Sequence, residues 1–340
     1  MSGPDPSEGV DEFEAIARLL RPLAEGAPEA LGLLDDAAVI TPRPGCDLVV
    51  SKDAMVAGVH FLVGDPLDFV ARKLLRANLS DLAAKAAEPY AYLLAAAWPD
   101  GLGWADRERF AAGLKQDQDA FGLKLVGGDT VSTPGPLTLC CTILGWTAQG
   151  AMVRRAGARP GDRLLVSGTI GDGWLGLQAA RGALAGPPAA SAAWLAGRYR
   201  LPEPRLELAA ALQAHASAAA DVSDGMVADA GHIGEASGVG LAIALERLPV
   251  SEPAQAWLAL QPDPAAALAA LATGGDDYEV VCTAGPESAA ELIAEAESAG
   301  VAMTEIGEVT AGQGVRIAFR GVPVEPARTG WRHGAAATAR

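Results

Sequence analysis

Apolar positions recur along this chain in two periods, near 3.6 and near 2, and runs of the two kinds follow one another from end to end. That alternation favours an α/β chain over an all-α or all-β one. Phe13, Ile16, Ala17, Leu19 and Leu20 stand at helical spacing within residues 11–24, and two short strand-like runs follow, AAVI (37–40) and DLVVSKD (47–53). Asp65-Pro66 reads as an N-cap with proline at the first helical position, and it opens a predicted helix through about Ala87. Phe69, Val70, Leu74, Leu75 and Leu82 can face a core from that helix, while Asn78, Asp81 and Lys85, at i, i+3 and i+7, share a polar face. A strand (AYLLAAAW), a helix near 104–121 and two strands (LKLVGG and LTLCCTILGW) complete a first half ending near residue 150.

The segment RRAGARPGD reads as a connector, since Gly157 and the Pro160-Gly161 turn precede a new strand, DRLLVSG. The second half then predicts a GTIGDG loop and helix, a Pro/Ala-rich loop at 186–192, a helix from about 203 and the segment ADVSDGMVADAGHI. A strand (EVVCTA), a helix near 286–299 and two closing strands end it. No repeat of 20–50 residues is visible. The expected domains are 1–150 and 151–335.

Composition narrows the function. Half of the 340 residues are hydrophobic, enough for two well-filled cores. The net charge of −16 argues against nucleic acid or an anionic membrane surface as partner, because both need clustered Lys and Arg. The N-terminus is acidic and lacks the pattern of a secretory signal, and the longest uncharged stretches are broken by Pro, Gly, Thr and Gln, so a cytoplasmic protein is expected. Cys46, Cys140, Cys141 and Cys282 show neither CxxC pairing nor a His at zinc spacing, and Cys140 and Cys141 read as strand thiols.

Candidate chemistry lies in the aspartates. LGLLDDAAVI (31–40) sets Asp35 and Asp36 in an apolar run, where an unpaired buried charge would be costly, so at least one must face water, a cation or a donor. Asp53 stands just past a strand, Asp129 follows a strand and two glycines, Asp221 and Asp224 flank Ser223, and Asp81 adds a carboxylate from a helix face. One such Asp is most often a turn or cap residue. Several converging at Gly-bearing strand ends would repel one another unless a hard cation sat among them, and Mg²⁺ suits oxygen ligands and substrate phosphates. The loop VSGTIGDGWLG offers backbone N–H groups to a phosphate, although it is neither GxxxxGK[ST] nor GxGxxG. His60 follows a strand and a glycine and can line the same crevice, whereas His215 and His232 read as surface or packing residues.

Seven motifs in order, LLDDAAV, SKDAMVAGVHF, NLSDLAA, LVGGDT, RRAGARPGD, DVSDG and GGDDYE, resemble the thiamine-monophosphate kinase family, of the aminoimidazole ribonucleotide synthetase and selenophosphate synthetase superfamily. The resemblance runs from about residue 12 to 333. It implies an α/β fold of α+β type: an N-terminal sheet domain that binds ATP and Mg²⁺ and forms a homodimer, and a C-terminal α/β domain that closes over the substrate cleft. It also implies transfer of the γ-phosphoryl group of ATP to thiamine monophosphate, assisted by several Mg²⁺ ions. Carried over by motif, Asp35, Ser51, Asp53, Asp81, Asp129, Asp221 and Asp224 would hold metal, with Lys52 at a position where its ammonium could replace a cation. Gly128, Asp129, Arg155 and Ser223 would contact ATP, with Arg155 as transition-state stabiliser and no general base. His60, Asp276 and Trp331 would lie near thiamine monophosphate.

Within the pair, Asp35 is expected at the metal and Asp36 at the turn. Leu34 replaces a family glycine, Lys52 stands in the family's STD triplet, Lys85 follows NLSDLAA where Met is common, and Asp276 replaces a Glu. The rival readings are another ATP-using member of the superfamily and a non-catalytic ATP-binding regulatory dimer.

Overall fold

Edge strands and their unpaired backbone groups set the layout of the first of two compact units. The computed structural model describes residues 10–331, and its contacts divide them into one unit containing residues up to Leu82 and Ala87–Gly150, and another containing Ala83–Ala86 and residues from Ala151 onward.

In the first unit, α1 (Glu12–Ala15) is capped by Asp11, whose side chain accepts the Glu14 N–H, and it runs on through a π turn (Ile16–Leu20) and a 3-10 turn (Arg21–Ala24). Then come β1 (Cys46–Val56), α2 (Leu67–Ala84), β2 (Glu88–Pro99), α3 (Trp104–Phe121), β3 (Leu125–Thr133) and β4 (Thr138–Ala148). The sheet order is β1-β4-β2-β3, antiparallel except for the parallel β2–β3 pair, so β1 and β3 are its two edges. One face carries Val49, Met55, Leu94, Ala96 and Cys141 into the core. The other leaves Leu48, Val50, Leu93 and Val131 exposed. Tyr90, Leu144 and Trp146 pack with Ala24, Ala27 and Ala30 of the N-terminal segment.

Two expectations change here. AAVI is not a strand: Val39 is exposed, and its N–H donates to the Glu29 carbonyl rather than to a ladder. The helix α2 stops at Ala84, because Ala86 takes a left-handed φ of 54° and the Ala87 N–H returns to the Leu82 carbonyl, a helix-ending turn usually built on glycine.

The second unit contains β5 (Arg163–Ser167), α4 (Asp172–Ala180), α5 (Ala189–Arg200), α6 (Ala209–His215), β6 (Ala218–Asp221), α7 (Met226–Ser237) and β7 (Gly240–Ala244). It continues with α8 (Glu252–Leu258), α9 (Pro264–Ala272), β8 (Val280–Ala284), α10 (Pro286–Ser298), β9 (Met303–Thr310), β10 (Gly314–Phe319) and β11 (Val322–Pro323). Its sheet runs β11-β10-β7-β9-β5-β8-β6, antiparallel except for β7–β10. Alternation divides the strands between two cores: Leu164, Val166, Ala220 and Val281 in one, and Leu165, Ala219, Val280 and Cys282 in the other. The segment read as a Pro/Ala-rich loop at 186–192 holds the start of α5, which buries Leu195, Ala196 and Tyr199 and hides its period behind alanines. His215 pairs with Glu291 and Glu295 of α10, and His232 is on the surface, as expected.

Candidate active site

In the first unit the acidic positions gather where α2 crosses the edge strand. Ser51 and Asp53 point to the covered face of β1, and Asp81 comes from α2. Ser51 Oγ donates to Asp81 Oδ2 at 2.6 Å. The Asp53 N–H donates to Asn78 Oδ1 at 3.2 Å, so a buried amide satisfies an edge-strand donor. The polar face predicted for α2 is therefore real for Asn78 and Asp81, but Lys85 lies beyond the helix end and belongs to the second unit, where its Nζ donates to the Ala219 carbonyl at 2.6 Å.

Lys52 points the other way. It is exposed, between Ser51 and Asp53, and the period of a strand puts it on the opposite face. Its place in the strand is thus on the face opposite Ser51 and Asp53. That face also carries Asp129 by register, through Ala54, Cys140 and Ala95. Asp129 is on the far edge strand, three strand spacings or about 14 Å from the Ala54 backbone. Gly128 beside it has φ 154°, and a Cβ there would lie 1.8 Å from the Leu94 carbonyl oxygen, so only glycine fits.

Asp35 and Asp36 are both exposed, and the Asp36 N–H donates to Asp35 Oδ1 at 2.8 Å. Asp35 thus contributes one oxygen to the turn that was expected of Asp36. Leu34 sits in ordinary backbone with φ −112°; the left-handed positions are Leu31, Gly32 and Leu33. His60 Nδ1 accepts the Val56 N–H at 3.0 Å, which assigns the proton of the neutral ring to Nε2, and the His60 carbonyl accepts from Lys73 Nζ.

In the second unit DVSDG forms the end of β6 and the turn into α7. Asp221 is buried, while Ser223 and Asp224 are half-buried. A residue that motif reading missed organises this turn. Asp229, on the first turn of α7, accepts the N–H groups of Ser223, Asp224 and Gly225 on one oxygen, at 3.0, 3.0 and 3.2 Å. Burial, and then the Asp224 carboxylate, push Asp229 up to about 7, against those bonds and the Arg155 charge. Asp224, Asp229 and His232 bring ligand atoms within 4.8 Å of one another. The sequence signal was available: an acidic side chain near a helix start, shortly after the SDG turn, aimed at unpaired donors. Trp331 is tied to the same turn, its N–H donating to the Asp224 carbonyl at 2.8 Å. Arg155 is exposed, and its carbonyl accepts from Ser237 Oγ at the end of α7.

The GGDDYE segment runs along this turn, with the Asp276 N–H on the Ser223 carbonyl and the Tyr278 N–H on the Val222 carbonyl, each at 2.8 Å. It also fills the glycine loop before α4. The Gly171 and Gly173 N–H groups both donate to the Asp277 carboxylate at 2.9 Å, so the anion held there is a protein side chain. The phosphate-loop expectation for VSGTIGDGWLG is overturned at those two donors. Burial pushes Asp277 well above the usual carboxylate range. Glu279, fully buried, accepts from Arg198, Arg205 and Ser167.

Residues 34–147 match the N-terminal domain model, and residues 159–320 the C-terminal domain model, of the AIR synthase related proteins. A thiamine-monophosphate kinase from Caulobacter vibrioides is 57% identical over 323 residues, covering 95% of this chain and 91% of that protein. The chain belongs to the thiamine-monophosphate kinase family. Its fold matches the crystal structure of a family member from Stenotrophomonas maltophilia K279a with a TM-score of 0.80 and 36% identity, over 93% of this chain and 99% of that one. It also matches AaThiL complexed with AMPPCP and TMP, with a TM-score of 0.75 and 29% identity over 98% and 99% of the two chains. In this thiamine-monophosphate kinase family chain Ser51, Asp53 and Asp81 lie together on β1 and α2. Its departures at Leu34 and Lys52 lie in unstrained backbone and on the opposite strand face, respectively.

Proposed function

We propose that this chain catalyses ATP-dependent phosphorylation of thiamine monophosphate to thiamine diphosphate, the closing step in making that coenzyme. The observation that carries the reading is the 57% identity, across 95% of the chain, to a relative of that name. The AMPPCP and TMP held by the AaThiL neighbour support both substrates.

The donor sets suit magnesium. Ser51, Asp53 and Asp81 offer only oxygen, on rigid elements, and the neighbouring Cys141, opposite Asp53 across the strands, is held as a thiol by its burial. Asp35, Asp129, Asp221 and Asp224 complete the proposed metal-binding set, while Lys52 is left outside the Ser51 cluster. Bound Mg²⁺ would supply positive charge to phosphates that otherwise repel each other in an acidic protein. The chain's own groups bind and orient. Gly128, which brings the backbone close with no Cβ in the way, contacts ATP together with Asp129, Ser223 and Arg155, whose guanidinium stabilises charge on the transferring group. His60, Asp276 and Trp331 contact thiamine monophosphate. The acceptor is already an anionic phosphate oxygen, so positioning for in-line attack replaces general-base chemistry.

The reading includes a cytoplasmic homodimer joined through the open face of the first sheet. Two features support the dimer: the exposed Leu48, Val50, Leu93 and Val131 on that face, and the place of Asp129 on the edge opposite Ser51 and Asp53, from which a second copy could bring it nearer.

The test is incubation of purified protein with ATP, Mg²⁺ and thiamine monophosphate, with thiamine as control acceptor. Equimolar ADP and thiamine diphosphate from the monophosphate alone supports the proposal. Nucleotide binding without diphosphate would replace it with the regulatory reading.

A further inference from the structure

The two glycine N–H groups that face Asp277 stand at the entrance to α4, where the amides of a helix start lack intrahelical partners. Each oxygen of the carboxylate takes one of them: Oδ2 the Gly171 N–H and Oδ1 the Gly173 N–H, both at 2.9 Å. The loop is moulded around this contact. Gly171 has φ 93°, and a Cβ on Gly173 would come within 2.2 Å of the Asp276 carbonyl oxygen. On its other side the same segment is fastened to the DVSDG turn through the Asp276 and Tyr278 N–H groups. Asp276 is thus held between two loops in a left-handed conformation with φ 64°, a position that a non-glycine residue keeps only when its surroundings impose it. The Tyr278 hydroxyl donates to Asp276 Oδ1 at 3.2 Å, which orients the carboxylate itself.

We propose that Asp277 is a positioning residue for the acceptor side of the reaction: by clamping Gly171 and Gly173 with its two oxygens it fixes the left-handed backbone at Asp276, and so the place where Asp276 meets thiamine monophosphate. The inference rests on the reading of Asp276 as an acceptor contact. Asp277 itself touches no substrate, being 2% exposed behind the loop. The geometry demands a carboxylate, because a carboxamide accepts on one atom and would turn an N–H toward the second glycine amide.

The experiment is steady-state kinetics on the full chain for Asp277→Asn, Asp276→Ala and Ser251→Ala, with thermal melts of each. Ser251 donates to Asp172 on the same helix start, so its variant loosens α4 without touching the Asp276 segment. Asp277→Asn is expected to raise the KM for thiamine monophosphate roughly tenfold while the KM for ATP stays within about twofold. Ser251→Ala, at a comparable fall in Tm, is expected to move neither selectively. Gly173→Ala supplies a second route if Asp277→Asn does not fold: its Cβ pushes the Asp276 carbonyl from the loop side, and the same selective rise in the acceptor KM is expected.

Parallel changes in both KM values, tracking Tm as in Ser251→Ala, would overturn the proposal and leave Asp277 a stability residue. If Asp276→Ala leaves the acceptor KM unchanged, the acceptor reading of Asp276 fails, and the positioning role falls with it. If Asp276→Ala raises that KM and neither Asp277→Asn nor Gly173→Ala does, the positioning role alone fails.

Discussion

Ser51 Oγ and Asp81 Oδ2 lie 2.6 Å apart, joining an edge strand to the helix that crosses it. The hydroxyl donates its hydrogen bond to the carboxylate, and the pair presents oxygen lone pairs beside Asp53 on the covered strand face. If this is the metal cluster of the kinase reading, Asp81→Asn should lower kcat/KM roughly 100-fold, the scale expected for lost metal-site groups. Tm without Mg²⁺ should stay near the parent value, and the stabilisation that Mg²⁺ with ATP gives the parent should shrink. Kinetics paired with melts at several Mg²⁺ concentrations check this; an unchanged Mg²⁺ dependence would remove the cluster from the mechanism.

Asp229 is predicted to act through geometry before charge. All three N–H groups of the SDG turn fall on Oδ2, which asparagine can replace with its own carbonyl oxygen. Asp229→Asn should therefore hold the turn, whereas Asp229→Ala leaves buried donors unpaired and should cost on the order of 3 kcal/mol. Urea titration of both variants separates the outcomes. Equal losses would show that the ionic interaction with Arg155 matters more than the three bonds.

Tyr90 and Glu29 give a pH signature remote from the reaction. The Tyr90 hydroxyl donates to Glu29, and burial, followed by that carboxylate, pushes the phenol up to about 12, while the same bond holds Glu29 below its usual range. A raised phenol keeps its proton longer when folded, so its contribution to stability is full below about pH 10 and is lost as pH rises toward 12. Glu29 works at the other end, its contribution present above its unfolded value and lost as pH falls through the lower folded one. Tyr90→Phe should flatten the alkaline part of a stability-against-pH curve. In the parent, absorbance titration should show Tyr90 ionising late, as should the buried Tyr92. Early titration of all four tyrosines in native protein would contradict this.

Legibility in the sequence followed the strength of local signals. The helix α3 was legible to its ends because glycines flank it, Gly103 before its first turn and Gly122 closing it in a left-handed turn. The alanine-rich α5 was missed, since alanines on both of its faces remove the contrast that marks a period, and the large side chains on its buried side, Leu195, Arg198 and Tyr199, mix apolar with charged. Asp81 was legible from the helix period, whereas Asp53 was expected just past a strand and lies inside β1, which runs on to Val56 because its pairing with β4 continues to Thr138. Asp129 was legible as a motif, but its strand order was not, and order is what separates it from β1. Asp229 and Asp277 escaped for a common reason: their partners are backbone amides, in a turn for one and in a distant loop for the other, and periodicity carries no information about those.

The four cysteines supply a final prediction that reports on assembly. All are free, with Cys141 and Cys282 fully buried; burial pushes both thiols up, that of Cys282 to about 12. Neither should react with a thiol reagent at pH 8 in native protein, because the thiolate is the reacting form. Cys46 and Cys140 are half-buried and should react, but not alike. Cys140 stands between Ala54 and Ala95 on the open face of the first sheet, the face proposed to join two copies. In a dimer that face is covered, so Cys140 should label slowly at high protein concentration and faster on dilution, while Cys46 keeps one rate; Cys140→Ser assigns the slow phase. A concentration-independent rate for Cys140 would mean that this face is not where two copies meet, whatever the oligomeric state.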